Sequence, residues 1–194
     1  MKKIILASSS PRRRDILEQI GVKFDVIPSN ADESTAASDP AEYVKGLSDR
    51  KASEVAKRVE GECIILGSDT VVVHKNRILG KPADQKAAFN MLRSLSGDVH
   101  YVYSGVTVIV KEGDGKIRKK TFAVSTEVKV TDLSDDQIRV YIESGEPMDK
   151  AGAYAIQGRF APYIERISGD YYNIVGFPIS SIVRACAEMG EPIC

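Results

Sequence analysis

The chain has 194 residues, of which 43% are hydrophobic and 28% charged, a composition that allows one buried core and excludes an intrinsically disordered protein. Its 27 lysines and arginines balance 27 aspartates and glutamates, so the overall charge gives no attraction to nucleic acid or to an anionic membrane. We therefore expect a single domain over residues 1–194 in which a local cluster holds any anionic ligand.

The N-terminal part alternates short apolar runs with helical patterns, which predicts an α/β fold. A buried strand is predicted over Lys3–Ala7, followed by a helix with Ser10 as N-cap and Gly21 as stop signal. A second strand is predicted over Phe24–Ile27. After a polar loop, a long helix is predicted from Pro40 to about Val59.

The central part reads as a strand pair followed by a helix. The apolar run Cys63–Val73 is interrupted by the small and polar residues Gly67–Thr70, which predicts a strand that opens into a cleft. The dipeptide Lys75-Asn76 predicts a hairpin turn towards Arg77–Leu79. A helix is predicted over Ala83–Leu95.

The C-terminal part begins with two long β-rich stretches, Val99–Lys111 and Lys116–Val130, which predict a hairpin. This hairpin is a candidate edge for a homodimer. A helix over Ser134–Glu143, a glycine-rich segment, a strand around Tyr163–Ile167 and a last helix over Pro178–Glu188 complete the chain.

Cysteine use and the N-terminus both favour a cytoplasmic protein. The three cysteines, Cys63, Cys186 and Cys194, have the spacing neither of a disulfide framework nor of a zinc site, which indicates a reducing compartment. The apolar run Ile4–Ala7 is too short for a signal peptide, and no stretch approaches the length of a membrane span.

The first candidate site is the run of three serines, Pro11 and three arginines at residues 8–14, where a strand gives way to a helix. Free N–H groups, hydroxyls and guanidiniums together form a cradle for a polyanion. The alternative is a capped surface helix with solvated arginines. Arginines at the positive end of a helix dipole are unfavourable without an anion, and Arg12 and Arg13 lie closest to that end.

Two acids are candidates for catalysis or metal binding. Asp69 lies inside an apolar strand, where a carboxylate is costly unless it pairs with a cation, so it is either an ion-pair partner or a functional acid. Glu33 lies in a polar loop and could supply a second oxygen ligand to Mg²⁺, although most loop acids are simply solvated.

Two lysines and a glycine-rich segment complete the candidates. Lys51 falls on the apolar stripe of its helix, so its side chain either snorkels to solvent or projects into a cleft. Lys81 stands between Gly80 and Pro82, which fix the backbone, although turn formation alone explains that segment. Within residues 145–158, Gln157 offers the paired donor and acceptor that read a base edge, and a compact structural loop is the alternative.

These residues occur in a series of motifs that resembles the Maf family, nucleotide pyrophosphatases also called septum formation inhibitor proteins. The motifs follow family order over nearly the whole chain. They are Ala7–Arg13, Asp32-Glu33, Arg50–Ala52, Gly67–Val72, Gly80–Pro82, Leu95–His100, Glu146–Gly158 and Gly169–Pro178.

The resemblance implies a fold and a role for each candidate residue. The implied fold is an elongated, curved mixed sheet flanked by helices around a deep cleft, as in the inosine triphosphate pyrophosphatases. The implied catalytic residue is Asp69, and Glu33 with Asp69 would hold Mg²⁺ or Mn²⁺. The remaining implied roles are substrate binding for Ser8, Ser10, Arg12, Arg13, Lys51 and Lys81, and substrate choice for Arg12, Thr70 and Gln157.

The glycine-rich segment resembles the branch of the family that prefers dTTP and UTP. The implied reaction is attack of water on the α-phosphate, which releases a monophosphate and pyrophosphate. Two alternatives stay open: a pyrophosphatase for modified nucleotides such as 7-methyl-GTP, and a non-catalytic, nucleotide-binding regulator of cell division. In each case the ligand is a small nucleotide rather than nucleic acid or membrane.

Overall fold

The computed structural model describes residues 2–194, and its strands confirm the predicted α/β class with a mixed sheet. Seven strands of this described part form one sheet in the order β2-β1-β3-β5-β6-β7, and β4 also pairs with β3. The strands are β1 (Lys3–Leu6), β2 (Phe24–Val26), β3 (Cys63–His74), β4 (Arg77–Leu79), β5 (Val99–Lys111), β6 (Ile117–Val130) and β7 (Ile164–Ser168).

Strand β1 runs parallel to both of its neighbours, β2 and β3, whereas β4 is antiparallel to β3 and β7 is antiparallel to β6. The helices are α1 (Pro11–Gln19), α2 (Pro40–Arg58), α3 (Gln85–Leu95), α4 (Asp135–Glu143), α5 (Tyr171–Val175) and α6 (Ile179–Glu188). Short 3₁₀ helices lie at Glu146–Asp149, Ala151–Ala153 and Ala161–Tyr163.

The helix starts follow the polar residues that precede them. The Asp39 carboxylate accepts a hydrogen bond from the amide of Glu42 at 2.9 Å and caps α2. Ser134 and Gln137 form a reciprocal capping box on α4, which supplies orphan donors of the first turn with acceptors. Ser10 is the N-cap residue of α1, as predicted, although its side chain makes no capping bond.

Strand β3 runs without a break from Cys63 to His74, so the small and polar residues Gly67–Thr70 interrupt only its apolar pattern. Gly67 is a packing position inside the strand. A Cβ atom there would lie 2.6 Å from the carbonyl oxygen of Ser48 and 2.8 Å from the Cβ of Ala52, so the glycine permits α2 to approach β3 closely. The predicted hairpin turn is confirmed, since Lys75 and Asn76 both have positive φ, as a type I′ turn requires.

The chain divides into two compact units. The first contains residues 2–69, 104–124 and 176–194, and its core includes side chains of β1, α2 and β3 such as Ile5, Val55 and Ile65. The second contains residues 70–103 and 125–175, and it holds a cluster of aromatic rings around Phe160. That the chain is one domain stays a prediction.

In the part of the chain from residue 2 to residue 194, no helix has both the length and the apolar character needed to span a bilayer.

Candidate active site

The side chain of Arg13 joins three separate segments of the first unit. Its Nη1 donates to the carbonyl oxygen of Ser68 at 2.7 Å and to Oγ of Ser8 at 3.0 Å. Its Nε donates to the carbonyl oxygen of Gly176 at 2.9 Å. The basic start of α1 therefore lies directly against β3, one residue before Asp69, which is the proximity that the predicted site requires.

The electrostatic surroundings of Arg13 connect it to the acids of the site. Burial lowers the pKa of the Arg13 guanidinium below its usual value, and the negative charge of Asp69 opposes that shift. The neighbouring charge of Arg12 lowers the pKa further. A guanidinium stays protonated at neutral pH even so, and Arg13 is thus a half-buried cation within the field of Asp69.

The other predicted residues of this helix start differ in their surroundings. Ser8 is 8% exposed, and its Oγ also accepts from the amide of Ser10 at 3.2 Å, so this hydroxyl serves the protein's own contacts. Ser10 is half-buried. Arg12 is half-buried as well, and within residues 2–194 it forms no hydrogen bond or ion pair, which leaves its guanidinium available to a ligand.

Lys51 brings the two predicted acids together. Its Nζ lies 2.6 Å from Oδ1 of Asp69 and 2.7 Å from Oε1 of Glu33. The side chains of Lys51 and Asp69 are only 14% and 13% exposed, whereas that of Glu33 is 67% exposed. The Lys51 side chain does not extend to solvent, because its ammonium contacts the carboxylates of Asp69 and Glu33.

The loop that carries Glu33 is fastened to α2 by a residue to which the sequence assigned no role. Arg50 donates through Nη1 to the carbonyl oxygens of Asp32, at 3.3 Å, and Ser34, which flank Glu33. Ser34 in turn donates its amide and hydroxyl to Asp32, and these bonds lower the pKa of the Asp32 carboxyl. The signal in the sequence was the position of Arg50 next to Lys51 on one helix.

The two carboxylates of the site have the chemistry of ligands for a divalent metal. No group of three or more histidine, cysteine or acidic side chains that could hold a metal occurs within residues 2–194. Glu33 and Asp69 nevertheless converge on one point, the Lys51 ammonium. Mg²⁺ is commonly held by one or two carboxylates together with substrate phosphates, and two carboxylates meet that requirement.

The second unit holds the remaining predicted residues. The carbonyl oxygen of Gly80 accepts from the amide of Gly152 at 3.0 Å, which places the Lys81 loop beside the glycine-rich segment. Gly152 has a φ of 67°, and a Cβ atom there would lie 2.9 Å from Val72. Within this unit Lys81 and Gln157 are exposed and Thr70 is half-buried.

Comparison with known proteins assigns relatives to nearly the whole chain. Residues 3–189 match the family model described as Maf-like protein. A protein of Lachnoclostridium phytofermentans named dTTP/UTP pyrophosphatase is 50% identical over 190 residues, which cover 98% of this chain and 96% of that one. Proteins of the same name from Clostridium perfringens (49% identity; 94% of this chain and 95% of that one) and Agathobacter rectalis (43% identity; 100% of both) match similarly.

A solved structure, the Ham1 protein of Staphylococcus aureus, matches with a TM-score of 0.46 and 14% identity, over 98% of this chain and all of that chain. The fold class rests on the strands and helices of this chain themselves.

Proposed function

This chain belongs to the Maf-like protein family, and from that premise we propose that it hydrolyses dTTP and UTP to the monophosphate and pyrophosphate. Relatives that carry the name of this activity are 43–50% identical over at least 93% of the chain. The observation that carries the proposal is the convergence of Asp69 and Glu33 on Lys51, with Arg13 bonded to the residue before Asp69.

We propose that Asp69 is the catalytic residue. Its carboxylate is 13% exposed and borders a cationic cluster, where a phosphate chain and a water molecule would meet it. Asp69 would accept the proton of the water that attacks the α-phosphorus, in the manner of a general base. The ammonium of Lys51, 2.6 Å from Oδ1 of Asp69, orients this carboxylate before the substrate arrives.

Glu33 and Asp69 are the residues that would hold Mg²⁺ or Mn²⁺. When bound, such a metal polarises phosphate oxygens and neutralises their charge. Lys51 can then exchange part of its contact with the carboxylates for contact with phosphate oxygens. An ammonium is a compact point charge on a flexible stem, so this exchange requires only side-chain rotation.

The other residues are proposed for binding and for substrate choice. Ser8, Ser10 and Arg13 would line the phosphate side at the start of α1, and Lys81 would neutralise charge that develops on the leaving pyrophosphate. Arg12, Thr70 and Gln157 would select the base. The amide of Gln157 carries both donor and acceptor, and uracil and thymine present both partners on the edge that pairs.

We further propose a cytoplasmic enzyme whose partner is a free nucleotide. The three cysteines are unpaired thiols, two of them buried, as a reducing compartment permits. The basic side chains at the start of β6 form ion pairs within this chain, because Arg118 pairs with Glu112 and Lys120 with Glu188. Their positive charges are therefore largely neutralised and give little attraction to nucleic acid. Homodimerisation through the long hairpin stays a prediction.

The test compares wild type with Asp69→Asn, which keeps the shape of the side chain and removes its charge. Monophosphate and pyrophosphate are measured from dTTP, UTP, other common nucleotides and 7-methyl-GTP, with Mg²⁺, with Mn²⁺ and after chelation. We expect turnover of dTTP and UTP to fall by a factor of about 10³ or more, since general-base and charge effects are both lost. Circular dichroism should show a retained fold.

Asp25→Asn is the matched control, because Asp25 is an exposed acid that pairs with Lys3 on the surface. It should keep wild-type turnover. Retained hydrolysis in Asp69→Asn would refute the assignment of that residue. Wild-type activity that favours 7-methyl-GTP would refute the substrate class, and nucleotide binding without any monophosphate product would refute the enzyme.

A further inference from the structure

The residue proposed to select the base, Gln157, sits in a tight turn of the second unit. The amide of Gly158 donates to the carbonyl oxygen of Ala155 at 3.3 Å, and Gln157 is the third residue of the turn that this bond closes. The next turn follows at once, because the amide of Ala161 donates to the carbonyl oxygen of Gly158 at 3.0 Å. Gln157 itself is exposed, so any restraint on its position acts through the backbone.

Two side chains from outside this turn hold its backbone on either side of Gln157. The hydroxyl of Tyr141 accepts from the amide of Ala155, two residues before, at 3.3 Å. The Oε2 of Glu146 accepts from the amide of Arg159, two residues after, at 3.0 Å. The pair is linked, because the Tyr141 hydroxyl donates to Oε1 of Glu146 at 2.8 Å. We call these two side chains the Tyr141–Glu146 clamp.

The clamp is built into the fold rather than resting on the surface. Tyr141 is 3% exposed, and its ring packs against that of Phe160 with centroids 5.1 Å apart. Burial, followed by the bond to Glu146, raises the pKa of the Tyr141 hydroxyl, which therefore remains a donor at neutral pH. Glu146 is half-buried and begins a 3₁₀ helix.

Gly158 leaves the space that the Glu146 carboxylate of the clamp occupies. A Cβ atom on this residue would overlap the carboxylate of Glu146. The clamp therefore requires a glycine at residue 158. A methyl group at residue 158 would push the carboxylate away from the amide of Arg159, even though Glu146 itself is unchanged.

The identity of Gln157 alone does not choose between uracil and cytosine. A glutamine amide can rotate by half a turn and exchange its donor and acceptor, so it can pair with the O4 and N3–H of uracil or with the N3 and N4–H of cytosine. The choice depends on where the backbone places the side chain against the base. The clamp holds the backbone amides of Ala155 and Arg159, on either side of Gln157. It thereby limits the positions that the Gln157 side chain can take against the base.

We propose that Glu146 and Tyr141 are positioning residues for Gln157 and thereby set the preference for uracil and thymine over cytosine. This inference rests on the proposed function, and it adds two residues that act through Gln157 without touching the substrate. It also assigns a purpose to the acid at the start of the glycine-rich segment.

The experiment measures kcat and KM for UTP and CTP in wild type, Glu146→Ala, Glu146→Gln and Gln157→Ala. We expect Glu146→Ala to reduce the ratio of kcat/KM for UTP over CTP by about tenfold, which corresponds to about 1.4 kcal/mol. The change should arise in KM for UTP, because the chemistry at Asp69 is not altered. Glu146→Gln keeps one acceptor oxygen and should restore part of the ratio.

A residue that only stabilises the fold would lower the activity on both nucleotides equally and leave the ratio unchanged. Adding Glu146→Ala to Gln157→Ala should therefore change the ratio little further, as expected when one residue acts through the other. Gly158→Ala should reproduce the loss of Glu146→Ala. Glu143→Gln, a matched change of an exposed acid on α4, should keep the wild-type ratio.

Amide hydrogen exchange gives a readout that does not depend on activity. Exchange at Ala155 and Arg159 should accelerate in Glu146→Ala and stay slow in Glu143→Gln. An unchanged UTP:CTP ratio in Glu146→Ala and Gly158→Ala would overturn the positioning role, and unchanged exchange would overturn the clamp itself. Wild-type inactivity on both UTP and dTTP would instead overturn the proposed function.

Discussion

Replacement of Arg13 by alanine should destabilise the protein far more than replacement of either neighbouring arginine. Arg13 donates to three acceptors on separate segments: Ser8, Ser68 and Gly176. Ser68 is fully buried in the intact protein, so removal of the guanidinium takes a charged donor from its carbonyl oxygen in the interior of the first unit. An unpaired buried acceptor bears its full desolvation penalty.

The size of the effect follows from these contacts. A hydrogen bond to a charged group contributes about 1.5–3 kcal/mol. Two of the three acceptors keep another donor, because the Ser68 hydroxyl donates to the carbonyl oxygen of Gly176 at 3.1 Å and the amide of Ser10 donates to Oγ of Ser8. We therefore expect a loss of about 3 kcal/mol, which for a chain of this size lowers Tm by roughly 6–12 °C.

The assay is denaturant unfolding of Arg12→Ala, Arg13→Ala and Arg14→Ala beside wild type. Arg14 makes an exposed ion pair with Glu18 at 3.3 Å, and exposed pairs contribute about 1 kcal/mol or less, so it is the matched control. Arg12→Ala should keep the stability and raise KM, because its guanidinium is proposed to contact substrate. If Arg13→Ala unfolds within about 0.5 kcal/mol of wild type, the structural reasoning for this residue is wrong.

Two further predictions concern packing and pH. Gly67→Ala should lower the free energy of unfolding by about 2 kcal/mol or more, since the added methyl meets the backbone of Ser48 and the Cβ of Ala52 and overpacking typically costs about 1–3 kcal/mol; wild-type stability in chemical denaturation would contradict this. Burial lowers the pKa of His100, which contacts the Tyr154 hydroxyl, to about 4. The unfolded chain therefore binds the proton more readily than the folded one, so the neutral His100 contributes its full share to the free energy of unfolding above pH 6.5. About 3 kcal/mol of that free energy is lost as the pH falls towards 4. Unfolding curves measured between pH 7 and 4 should show a smaller loss of stability in His100→Phe than in wild type.

The ends of the helices were predictable because they depend on local chemistry. Asp39 and Ser134 cap α2 and α4, and each helix that was predicted starts within two residues of its predicted position. Helix α5, at Tyr171–Val175, was not predicted. With five residues it carries too little periodicity to be recognised, and tertiary contacts determine it.

The sequence identifies the candidate site residues, but it does not show the contacts that distinguish one from another. The sequence distinguishes Arg12 and Arg13 from Arg14 by their closeness to the start of the helix, but it does not show what each guanidinium contacts. Only the folded backbone shows that Arg13 faces three internal acceptors while Arg12 forms no bond within residues 2–194. Arg50 is a similar case, since the carbonyl oxygens that it holds belong to a loop separated by more than ten residues.

The packing of Gly67 explains how the proposed catalytic acid acquires its partner. Residues 67 and 69 of an unbroken strand point to the same face, and at residue 67 that face meets Ser48 and Ala52 of α2. The glycine lets α2 approach β3 closely. Asp69, the next side chain on that face of the strand, therefore meets Lys51 of the helix, with Nζ of Lys51 2.6 Å from Oδ1 of Asp69. Gly67 thus sets the distance on which the ion pair depends, and a bulkier residue there would move α2 away from β3 and separate the Lys51 ammonium from the Asp69 carboxylate.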